Sequence, residues 1–511
     1  MLIATLPVTD YSTVKQQLFQ LADSADGVEL RLDYASHWDG KAVAELRKMC
    51  ALPVVFTLRS QAQGGHYPHS EKQRLQTILE LCACNPDYLD LEHDVPQQYI
   101  KSIRQRYPAI KIIVSYHNFV ETPADLDALF QALYQENCYA YKIATQSQST
   151  LDALRMLHWV LSMRSRHRII GLCMGEAGQC TRILAPVVGC LFSYAFWDRS
   201  QATASGQLSL QELTTTYHYR QLNSSSKIYA LLGDPVHLSV GHIFHNRAIE
   251  IMGQNAVYIK LRVTAEELSA AMVIVRQLPV WGLSITMPLK ETVVPLLDKL
   301  SPDVQVIQAV NTVVRERQWT GWNTDGLGAM QALSEHRSLD QQTILLLGAG
   351  GAARAIAYAA LAQGAKVIIL NRSIAKAKIL ADELGCEAYA LAVFPALKSY
   401  TLCINTLPEA AFQDPTMQAI WQSNHILPGT VVMDIVYQPV ETTFLRAAKA
   451  AGCVCIPGFK MYIAQALLQI QHWFQPEATA LREIKLLMQE FFPHTRAAND
   501  LNLRSKIQGN V

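Results

Sequence analysis

Residues 343–373, TILLLGAGGAARAIAYAALAQGAKVIILNRS, combine an apolar run, a glycine-rich turn, an alanine-rich amphipathic segment and a second apolar run. This order is typical of the strand, turn, helix and strand that begin a Rossmann dinucleotide-binding fold. Gly348 permits the tight turn, Gly350 lets the backbone approach a pyrophosphate, and Ala353 lets the helix pack closely on the strand. The N–H groups at the helix start would then face the phosphates. We therefore predict that the second half of the chain binds a dinucleotide.

The second apolar run of this stretch ends at Asn371, Arg372 and Ser373. In proteins that bind NAD, an acidic residue at this place contacts the ribose, whereas an arginine can pair with the 2′-phosphate of NADP. The arginine therefore indicates NADP(H) as the cofactor. A solvated loop charge is the alternative interpretation of Arg372.

The first 222 residues alternate short β-branched runs with longer segments in which apolar residues recur every three or four positions. Eight runs are candidate strands: LIATL, GVELRLD, PVVFTLRS, DYLDLE, IKIIVSYH, AYKIAT, RIIGLCM and CLFSYAF. Eight strand and helix units in about 220 residues predict a closed (β/α)8 barrel, in which functional groups come from the C-terminal ends of the strands. His117 and Lys142 lie on neighbouring strands and are therefore expected at one mouth of the barrel.

Lys142 shares a strand face with Ala140 and Ala144. A barrel interior would desolvate its ammonium and favour the neutral amine, which can attack a carbonyl to form an imine. His117 could then remove a proton next to the imine and protonate a leaving hydroxyl. Taken singly, each residue has an alternative interpretation, a lysine that reaches solvent or a loop histidine.

The composition limits the classes of partner. The chain has 511 residues, of which 50% are hydrophobic, and a formal net charge of +1. This length predicts two or three domains, and the balanced charge favours small molecules over nucleic acid, a membrane surface or a polyanionic partner. The 11 cysteines include no CxxC pair, so we expect a reducing compartment and no metal site.

The N-terminal MLIATLP predicts a strand and not a targeting segment. No apolar run approaches the ~20 residues that a membrane-spanning helix needs. We therefore expect a cytoplasmic protein.

Seven segments of the first half resemble, in order, the motifs of type I 3-dehydroquinate dehydratase: ELRLD, FTLRS, DLE, SYHNF, YKIAT, CMGEAGQCTRILAPVVG and ASGQLS. The resemblance covers nearly all of residues 1–222. It implies a Schiff base between Lys142 and the C3 carbonyl of 3-dehydroquinate, with His117 as general acid and base for the loss of water. It also implies substrate binding by Glu29, Arg31, Arg59, Arg182, Thr203 and Gln207.

Two positions depart from the pattern of that family. Gln63 stands where the family usually has an acidic residue, and Ser205 stands where it has a proline. We expect weaker support of the His117 imidazole from the uncharged Gln63 and a looser substrate-covering loop around Ser205. Neither change removes a reacting group.

After a short polar segment, QLNSSSKIY at residues 221–229, a second α/β region begins. Its segments MPLK, AVNT, NTDG, GAGGAA, NRS, DIVYQP and GFKMYIAQA resemble those of shikimate dehydrogenase over residues 227 to about 490. The resemblance implies that Lys290 and Asp325 are the catalytic pair. The implied substrate-binding residues are Ser239, Thr286, Asn311, Tyr437 and Gln465, and the implied cofactor-binding residues are Gly348, Ala349, Gly350, Gly351, Ala352, Asn371, Arg372, Ser373 and Gly458.

One departure from this second family affects the site for the substrate carboxylate. The family commonly has two serines in an HSxSP segment, whereas here Ser239 is followed by Gly241 and His242 in place of the second serine and the proline. One hydroxyl donor is therefore missing, which leaves the preference between shikimate and quinate open. His237 or His242 would be the compensating donor, with a plain loop histidine as the alternative.

Together the resemblances imply a bifunctional enzyme in which dehydration of 3-dehydroquinate precedes NADPH-dependent reduction of 3-dehydroshikimate to shikimate. The expected domains are a barrel at 1–222, a substrate subdomain at 227–334 completed by about 460–490, a Rossmann subdomain at 335–459 and a polar tail at 491–511. Two alternatives are a class I aldolase-like barrel joined to a dehydrogenase, and a chain in which one half is a degenerate binding or regulatory module. The sequence leaves the oligomeric state and any channelling of the intermediate open.

Overall fold

The computed structural model describes residues 1–21, 24–35, 39–197 and 203–494. The chain divides into two compact units. The first comprises Met1–Tyr229, Val236–Asn246 and Asn255–Val280, and the second comprises Ala230–Pro235, Arg247–Gln254 and Trp281–Val511. The part of the expected polar tail beyond residue 494 lies outside the described residues.

The first unit contains a parallel eight-stranded sheet, β1 to β8, with the order β7-β6-β5-β4-β3-β2-β1-β8. The strands are β1 Leu2–Pro7, β2 Gly27–Arg31, β3 Val54–Thr57, β4 Tyr88–Glu92, β5 Lys111–Asn118, β6 Ala140–Gln146, β7 Ile169–Met174 and β8 Ser193–Phe196. Leu191 N, just before β8, donates to the O atom of Ile169, the first residue of β7, at 2.8 Å, which links the two edge strands. The sheet is therefore a nearly closed α/β barrel, and all eight expected strands are present.

Helices connect these strands and have local sequence signals at their ends. They are α1 Tyr11–Leu21, α2 Gly40–Met49, α3 Glu71–Cys82, α4 Gln97–Arg106, α5 Leu126–Leu133, α6 Thr150–Met163, α7 Gln179–Ile183 and α8 Ala185–Val188. Ser70 with Gln73 and Ser149 with Asp152 form capping boxes at the starts of α3 and α6, which satisfy N–H groups that the helix leaves free. Strands such as β1, β3 and β7 are buried on both faces, as a barrel enclosed by helices requires.

A mixed six-stranded sheet follows, with the order β10-β9-β11-β13-β14-β12. Its strands are β9 Lys227–Gly233, β10 Ala256–Arg262, β11 Val280–Ile285, β12 Lys299–Leu300, β13 Thr312–Arg315 and β14 Trp319–Trp322. The accompanying helices are α9 Gly241–Ile251, α10 Leu268–Val275, α11 Leu289–Thr292, α12 Pro302–Ile307 and α13 Asp325–Ser334. Strand β13 pairs antiparallel with both β11 and β14, so the residues that follow β11 and β14 are brought to the same region.

The third sheet has the order β17-β16-β15-β18-β19-β20 and is parallel throughout. Its strands are β15 Thr343–Leu347, β16 Lys366–Asn371, β17 Glu387–Ala390, β18 Leu402–Asn405, β19 Val431–Asp434 and β20 Val454–Ile456. Its helices are α14 Gly351–Ala362, α15 Ile374–Leu384, α16 Pro415–Ile420 and α17 Thr443–Ala450. The strand order reverses between β15 and β18, as in a Rossmann fold. The prediction of this fold is confirmed.

Two C-terminal helices complete the second unit, α18 Phe459–Phe474 and α19 Ala478–His494. Helix α18 packs against α13, where a side chain on Gly328 would meet Gln465 N at 2.8 Å. Helix α19 includes residues 491–494, which the sequence assigned to the polar tail. Phe492 is fully buried, so apolar packing extends the helix into this segment. Across the described ranges, no helix combines the length and the hydropathy that a membrane span needs.

Candidate active sites

A cleft at the C-terminal ends of the barrel strands contains the reacting residues expected in the first half. Because strands β5 and β6 are parallel and paired, with Ser115 opposite Lys142 and His117 opposite Ala144, both reacting side chains reach this end. The cleft is lined by Thr5, Glu29, Arg31, Arg59, Gln63, Gly64, His117, Phe119, Lys142, Ala144, Leu172, Met174, Arg182, Tyr194, Thr203, Ala204 and Gln207. All eight barrel residues expected to be catalytic or substrate-binding are therefore brought together.

Lys142 is buried, with 6% of its surface exposed, but its ammonium is not isolated. Its Nζ lies 3.0 Å from Asp90 Oδ2, 3.7 Å from Glu29 Oε1 and 4.2 Å from the centre of the Tyr194 ring. The two carboxylates and the ring hold the Lys142 side chain in the cleft, where its Nζ can meet a substrate carbonyl.

Asp90 anchors a buried charge network behind Lys142. Arg59 Nη2 lies 2.9 Å from Asp90 Oδ1, and Ser115 Oγ donates to the same oxygen at 2.6 Å. Burial disfavours the charged carboxylate, but Arg59 and Lys142 hold the pKa of Asp90 well below its usual range. Arg59 also lies 3.7 Å from Glu92. The ionised Asp90 thus fixes Arg59 and Lys142 on the floor of the cleft.

His117 is positioned to act as a base. Burial, together with the positive charges of Arg59 and Lys142, lowers the pKa of His117 well below its usual range, so the ring is neutral at neutral pH. Gln63 Oε1 accepts a hydrogen bond from the backbone N of His117 at 3.1 Å. Imidazole Nδ1 has no hydrogen-bond partner within the described part of the chain. Gln63 therefore positions the His117 backbone and does not contact the ring nitrogens.

Arg182 has the features of an anion-binding residue. It lies in α7 with 2% of its surface exposed, and its Nη1 donates to Tyr194 O at 3.3 Å. Counting only described residues, its Nε and Nη2 have no partner. Burial lowers the pKa of Arg182 to about 10. A carboxylate in the cleft would accept hydrogen bonds from these guanidinium nitrogens.

The loop that carries Thr203 and Gln207 covers one side of the cleft. Gln207 Oε1 accepts a hydrogen bond from Thr203 N at 3.1 Å, and Gly175 N donates to Ser205 O at 3.0 Å. Gly206 has φ +71°, and a side chain there would meet Gly175 O at 2.0 Å. The backbone contacts fix this loop to the segment after β7 although Ser205 replaces a proline.

The second unit brings Lys290 and Asp325 together as an ion pair. Asn311 Nδ2 donates to Asp325 Oδ1 at 2.9 Å and lies 3.4 Å from Gln465 Oε1. Lys290 lies in α11, shortly after β11, and Asp325 begins α13, shortly after β14. Both strands pair antiparallel with β13, so the residues that follow them are brought to the same place. Four of the expected catalytic and substrate-binding positions of this half, Lys290, Asp325, Asn311 and Gln465, therefore form one cluster.

The glycine-rich turn lies next to this cluster. A side chain on Gly351 would meet Lys290 Cβ at 3.2 Å. Gly348 has φ +113°, and Gly350 begins α14 with open space where a side chain would project. The 12-residue helix α14 directs its free N–H groups into this space. The turn can therefore receive a pyrophosphate close to the Lys290–Asp325 pair.

Other expected positions of the second half occupy the edges of these elements. Asn371 Nδ2 donates to Ser373 O at 3.1 Å, and the Arg372 side chain is exposed at the end of β16. Gly458 begins α18, where a side chain would meet Val436 O at 2.3 Å. The Tyr437 ring packs at a tilt against Tyr462, with 4.7 Å between the ring centres. Thr286 N donates to Leu232 O at 2.9 Å, and Ser239 Oγ accepts from Gly241 N at 3.2 Å.

No role was expected from the sequence for Asp90, which lies in the expected strand DYLDLE, or for Tyr194. Both contact Lys142, Asp90 through an ion pair and Tyr194 through its ring. The signal for Asp90 was its position two residues before Glu92 at the end of β4. Tyr194 had no comparable signal, since an aromatic residue in CLFSYAF is equally typical of a buried core strand.

Models of protein families match three parts of the chain. The type I 3-dehydroquinase family matches residues 2–224, the shikimate dehydrogenase substrate binding domain matches residues 231–313, and the shikimate/quinate 5-dehydrogenase family matches residues 330–406. The shikimate biosynthesis protein AroDE of Chlamydia pneumoniae is 33% identical over 476 residues, which cover 93% of this chain and 95% of the relative. The chain belongs to the bifunctional dehydroquinate dehydratase/shikimate dehydrogenase family.

Two further relatives differ in how much of this chain they match: one is bifunctional, and the other is a shikimate dehydrogenase that matches about half of the chain. The chloroplastic bifunctional 3-dehydroquinate dehydratase/shikimate dehydrogenase of Arabidopsis thaliana is 31% identical over 88% of this chain and 77% of the relative. A shikimate dehydrogenase (NADP(+)) of Pyrococcus furiosus is 39% identical over 49% of this chain and 92% of the relative. Whole-length relatives thus join the two parts in one chain.

Proposed function

We propose that this chain dehydrates 3-dehydroquinate to 3-dehydroshikimate in its barrel and reduces 3-dehydroshikimate to shikimate with NADPH in its second half. The observation that carries the proposal is the presence of two assembled sites, Lys142 with His117 in one cleft and Lys290 with Asp325 beside a glycine-rich turn. Membership of the bifunctional family supports the pairing of these activities. We assign the barrel to 1–222, the substrate subdomain to 227–334 and about 460–490, and the Rossmann subdomain to 335–459.

In the dehydratase site, Arg182 would bind the substrate carboxylate through the guanidinium nitrogens that have no partner among the described residues. Lys142, after losing its proton, attacks the ketone, and loss of water from the adduct gives the imine. The neutral His117 removes a proton from the carbon next to the imine and then donates it to the leaving hydroxyl, which departs as water. Hydrolysis of the imine releases the product and restores Lys142.

In the dehydrogenase site, the turn of Gly348 and Gly350 and the start of α14 would hold the cofactor pyrophosphate. Arg372 would pair with the 2′-phosphate, which favours NADPH over NADH. When bound there, NADPH would supply the hydride that reduces the carbonyl carbon of 3-dehydroshikimate. Lys290, paired with Asp325, donates a proton to the carbonyl oxygen, and Asn311 orients the Asp325 carboxylate through its 2.9 Å hydrogen bond.

Further residues of the second half would bind the ring of 3-dehydroshikimate. We assign Thr286, Asn311 and Gln465 to the substrate hydroxyls, Ser239 to the carboxylate and Tyr437 to the wall of the cleft. The proximity of Asn311 to both Asp325 and Gln465 supports this assignment.

A coupled assay tests the function. The purified chain is incubated with 3-dehydroquinate and NADPH, NADPH oxidation is followed optically, and shikimate is identified chromatographically. We expect oxidation with stoichiometric shikimate and a much slower reaction with NADH. Oxidation without shikimate, or formation of a product with a cleaved carbon–carbon bond, would overturn the proposal.

Borohydride trapping tests the imine separately. Reduction in the presence of 3-dehydroquinate should fix the substrate skeleton to Lys142, which peptide mass spectrometry would locate. The matched control is Lys111→Arg, which changes a lysine at the opposite end of the neighbouring strand and should leave the adduct in place. An adduct on another lysine, or none, would reject the role of Lys142.

A further inference from the structure

A second cleft lies at the N-terminal ends of the barrel strands, opposite the mouth that contains Lys142. Its volume is about 580 Å³. It is formed by the C-terminal part of α4 and by the segments that lead into β5, β6 and β7. Among the described residues, its charged lining consists of cations alone, namely Lys101, Arg104, Lys111 and Arg168. A chain of nearly neutral net charge therefore has a locally cationic cleft.

The four cations lack the carboxylates that usually balance such a group. Within residues 1–21, 24–35, 39–197 and 203–494, none of them is ion-paired with an aspartate or glutamate. Arg104 Nη1 lies 3.4 Å from the backbone O of Glu136, which leaves its charge without a counter-charge. Like charges that share a cleft repel one another, and an anion bound between them would relieve this repulsion.

An aromatic wall positions two of the cations. Lys111 Nζ lies 5.2 Å from the centre of the Tyr139 ring and 5.0 Å from that of Tyr88, and the Arg168 guanidinium lies 4.6 Å from Tyr139. Tyr88 in turn packs edge-on against Phe192 at 5.1 Å. Cation–π contacts restrain the two side chains without neutralising them. The charges are therefore held in place and remain available to a ligand.

The backbone beneath the cleft is fixed to the barrel. Tyr139 N donates to Ile112 O at 2.9 Å, and Tyr141 N donates to Arg168 O at 3.0 Å. Because these hydrogen bonds continue the strand ladders of β5, β6 and β7, the cleft is built on rigid elements. Sites on such elements keep their geometry before a ligand arrives.

We propose that this cleft binds a small polyanion, a molecule of metabolite size that carries at least two negative groups as phosphates or carboxylates. The planar guanidinium of Arg168 can donate two parallel hydrogen bonds to either group, and Lys111 adds a point charge beside it. The site is separate from both catalytic constellations and does not depend on the proposed reactions.

Calorimetric titration of the full chain tests the site, with inorganic pyrophosphate in one arm and citrate in the other. Ionic strength is held constant with potassium chloride, and a cleft variant separates binding in this cleft from binding of either anion elsewhere in the chain. The cleft variant is Lys111→Gln with Arg168→Gln. The matched control is Lys72→Gln with Arg317→Gln, which removes the same charge from exposed residues outside the cleft.

We expect saturable binding in the original chain and in the control, and at least tenfold weaker binding in the cleft variant. Tighter binding of pyrophosphate would identify a phosphorylated ligand, and tighter binding of citrate a polycarboxylate. Equal binding by all three proteins, or no saturable binding of either anion, would overturn the proposal. Retained dehydratase activity in the cleft variant shows that its barrel is folded.

Discussion

Gln63 is a residue at which one change of charge tests the role of His117. Its Oε1 accepts from the His117 backbone at 3.1 Å, and Gln63→Glu keeps that acceptor while it adds a negative charge near the imidazole. A nearby carboxylate stabilises the imidazolium and raises the pKa of His117. Because protonation removes the base, the acid limb of the dehydratase kcat/KM profile should move to higher pH, by about one unit.

The matched control for Gln63 is Gln61→Glu, an exposed change in the same short turn. It adds the same charge without the contact to His117, so the profile should not move. An acid limb that is unchanged in Gln63→Glu would contradict the assignment of His117 as the base.

Replacement of Arg182 should weaken substrate binding without lowering the stability of the fold. Its guanidinium is buried, and two of its nitrogens lack partners in the described part of the chain. Arg182→Met removes a desolvated charge, so the thermal unfolding temperature should stay the same or rise. The loss of charged hydrogen bonds of about 1.5–3 kcal/mol each should raise KM for 3-dehydroquinate by at least about tenfold. A lower unfolding temperature with unchanged KM would assign Arg182 to structure instead.

At the residue scale, the sequence predicted which side chains meet in the barrel cleft but not how they are paired. Strand-end positions placed His117 and Lys142 at one mouth, and the period of two in a strand explains this success. The ion pair of Lys142 with Asp90 and the contact of Gln63 with a backbone N–H depend on rotamers and on packing across strands. Such contacts have no fixed sequence spacing.

The glycine-rich turn offers two neighbouring glycines with opposite expected effects. At Gly350 the backbone has φ −98° and a side chain would meet open space, so Gly350→Ala should fold normally. Its methyl group would occupy the space expected for the pyrophosphate, and KM for NADPH should rise about tenfold, or about 1.4 kcal/mol. Steady-state kinetics at saturating 3-dehydroshikimate measure this change.

Gly348→Ala is the comparison for Gly350. There φ is +113° and a side chain would meet Thr406 Oγ1 at 2.2 Å. We expect a clear loss of thermal stability, since both backbone strain and overlap oppose the substitution. Equal stability losses in the two variants would contradict the assignment of Gly350 to close cofactor approach.

Asp434, at the end of β19, ties two strand ends of the Rossmann sheet together. It accepts hydrogen bonds from Asn405 Nδ2 at 2.9 Å, Val436 N at 3.0 Å and Thr442 Oγ1 at 2.6 Å. Burial outweighs these hydrogen bonds and raises the pKa of Asp434 to about 6 from the usual 3.8. Between pH 3.8 and about pH 6, the folded state therefore binds more protons than the unfolded state. Ionisation of Asp434 thus lowers stability as pH rises through this window, by up to about 3 kcal/mol.

Asp434→Asn should abolish that part of the pH dependence. The variant loses an acceptor oxygen and should be less stable than the original chain at both pH 5 and pH 7, with the larger difference at pH 5. The control Asp382→Asn, exposed on α15, should show no such change. Thermal unfolding at the two pH values checks the result, and a constant difference would contradict a titrating Asp434.

At the element scale, hydrophobic periodicity predicted the eight barrel strands and the strand-helix-strand unit around residues 343–373. These elements have regular patterns because each buries defined faces. The end of α19 was predicted less well, since Phe491 and Phe492 are followed by proline and polar residues. The burial of Phe492 comes from contacts with Tyr437, Phe459 and Tyr462, which are distant in sequence.

At the scale of the whole molecule, each reaction has its own set of reacting groups. The described residues that line the barrel cleft all fall between Thr5 and Gln207, in the first unit. Lys290, Asp325, Asn311 and Gln465 belong to the second. Inactivation of one site should therefore leave the chemistry of the other intact.

Two variants that each lack one activity test this independence. Lys142→Ala should reduce 3-dehydroshikimate but not consume NADPH from 3-dehydroquinate, and Asp325→Asn should dehydrate 3-dehydroquinate without oxidising NADPH. An equimolar mixture should convert 3-dehydroquinate to shikimate after a lag, because 3-dehydroshikimate released by one variant must accumulate before the other reduces it. A mixture that stays inactive while both single activities persist would contradict this, since the intermediate would then not leave the chain that forms it.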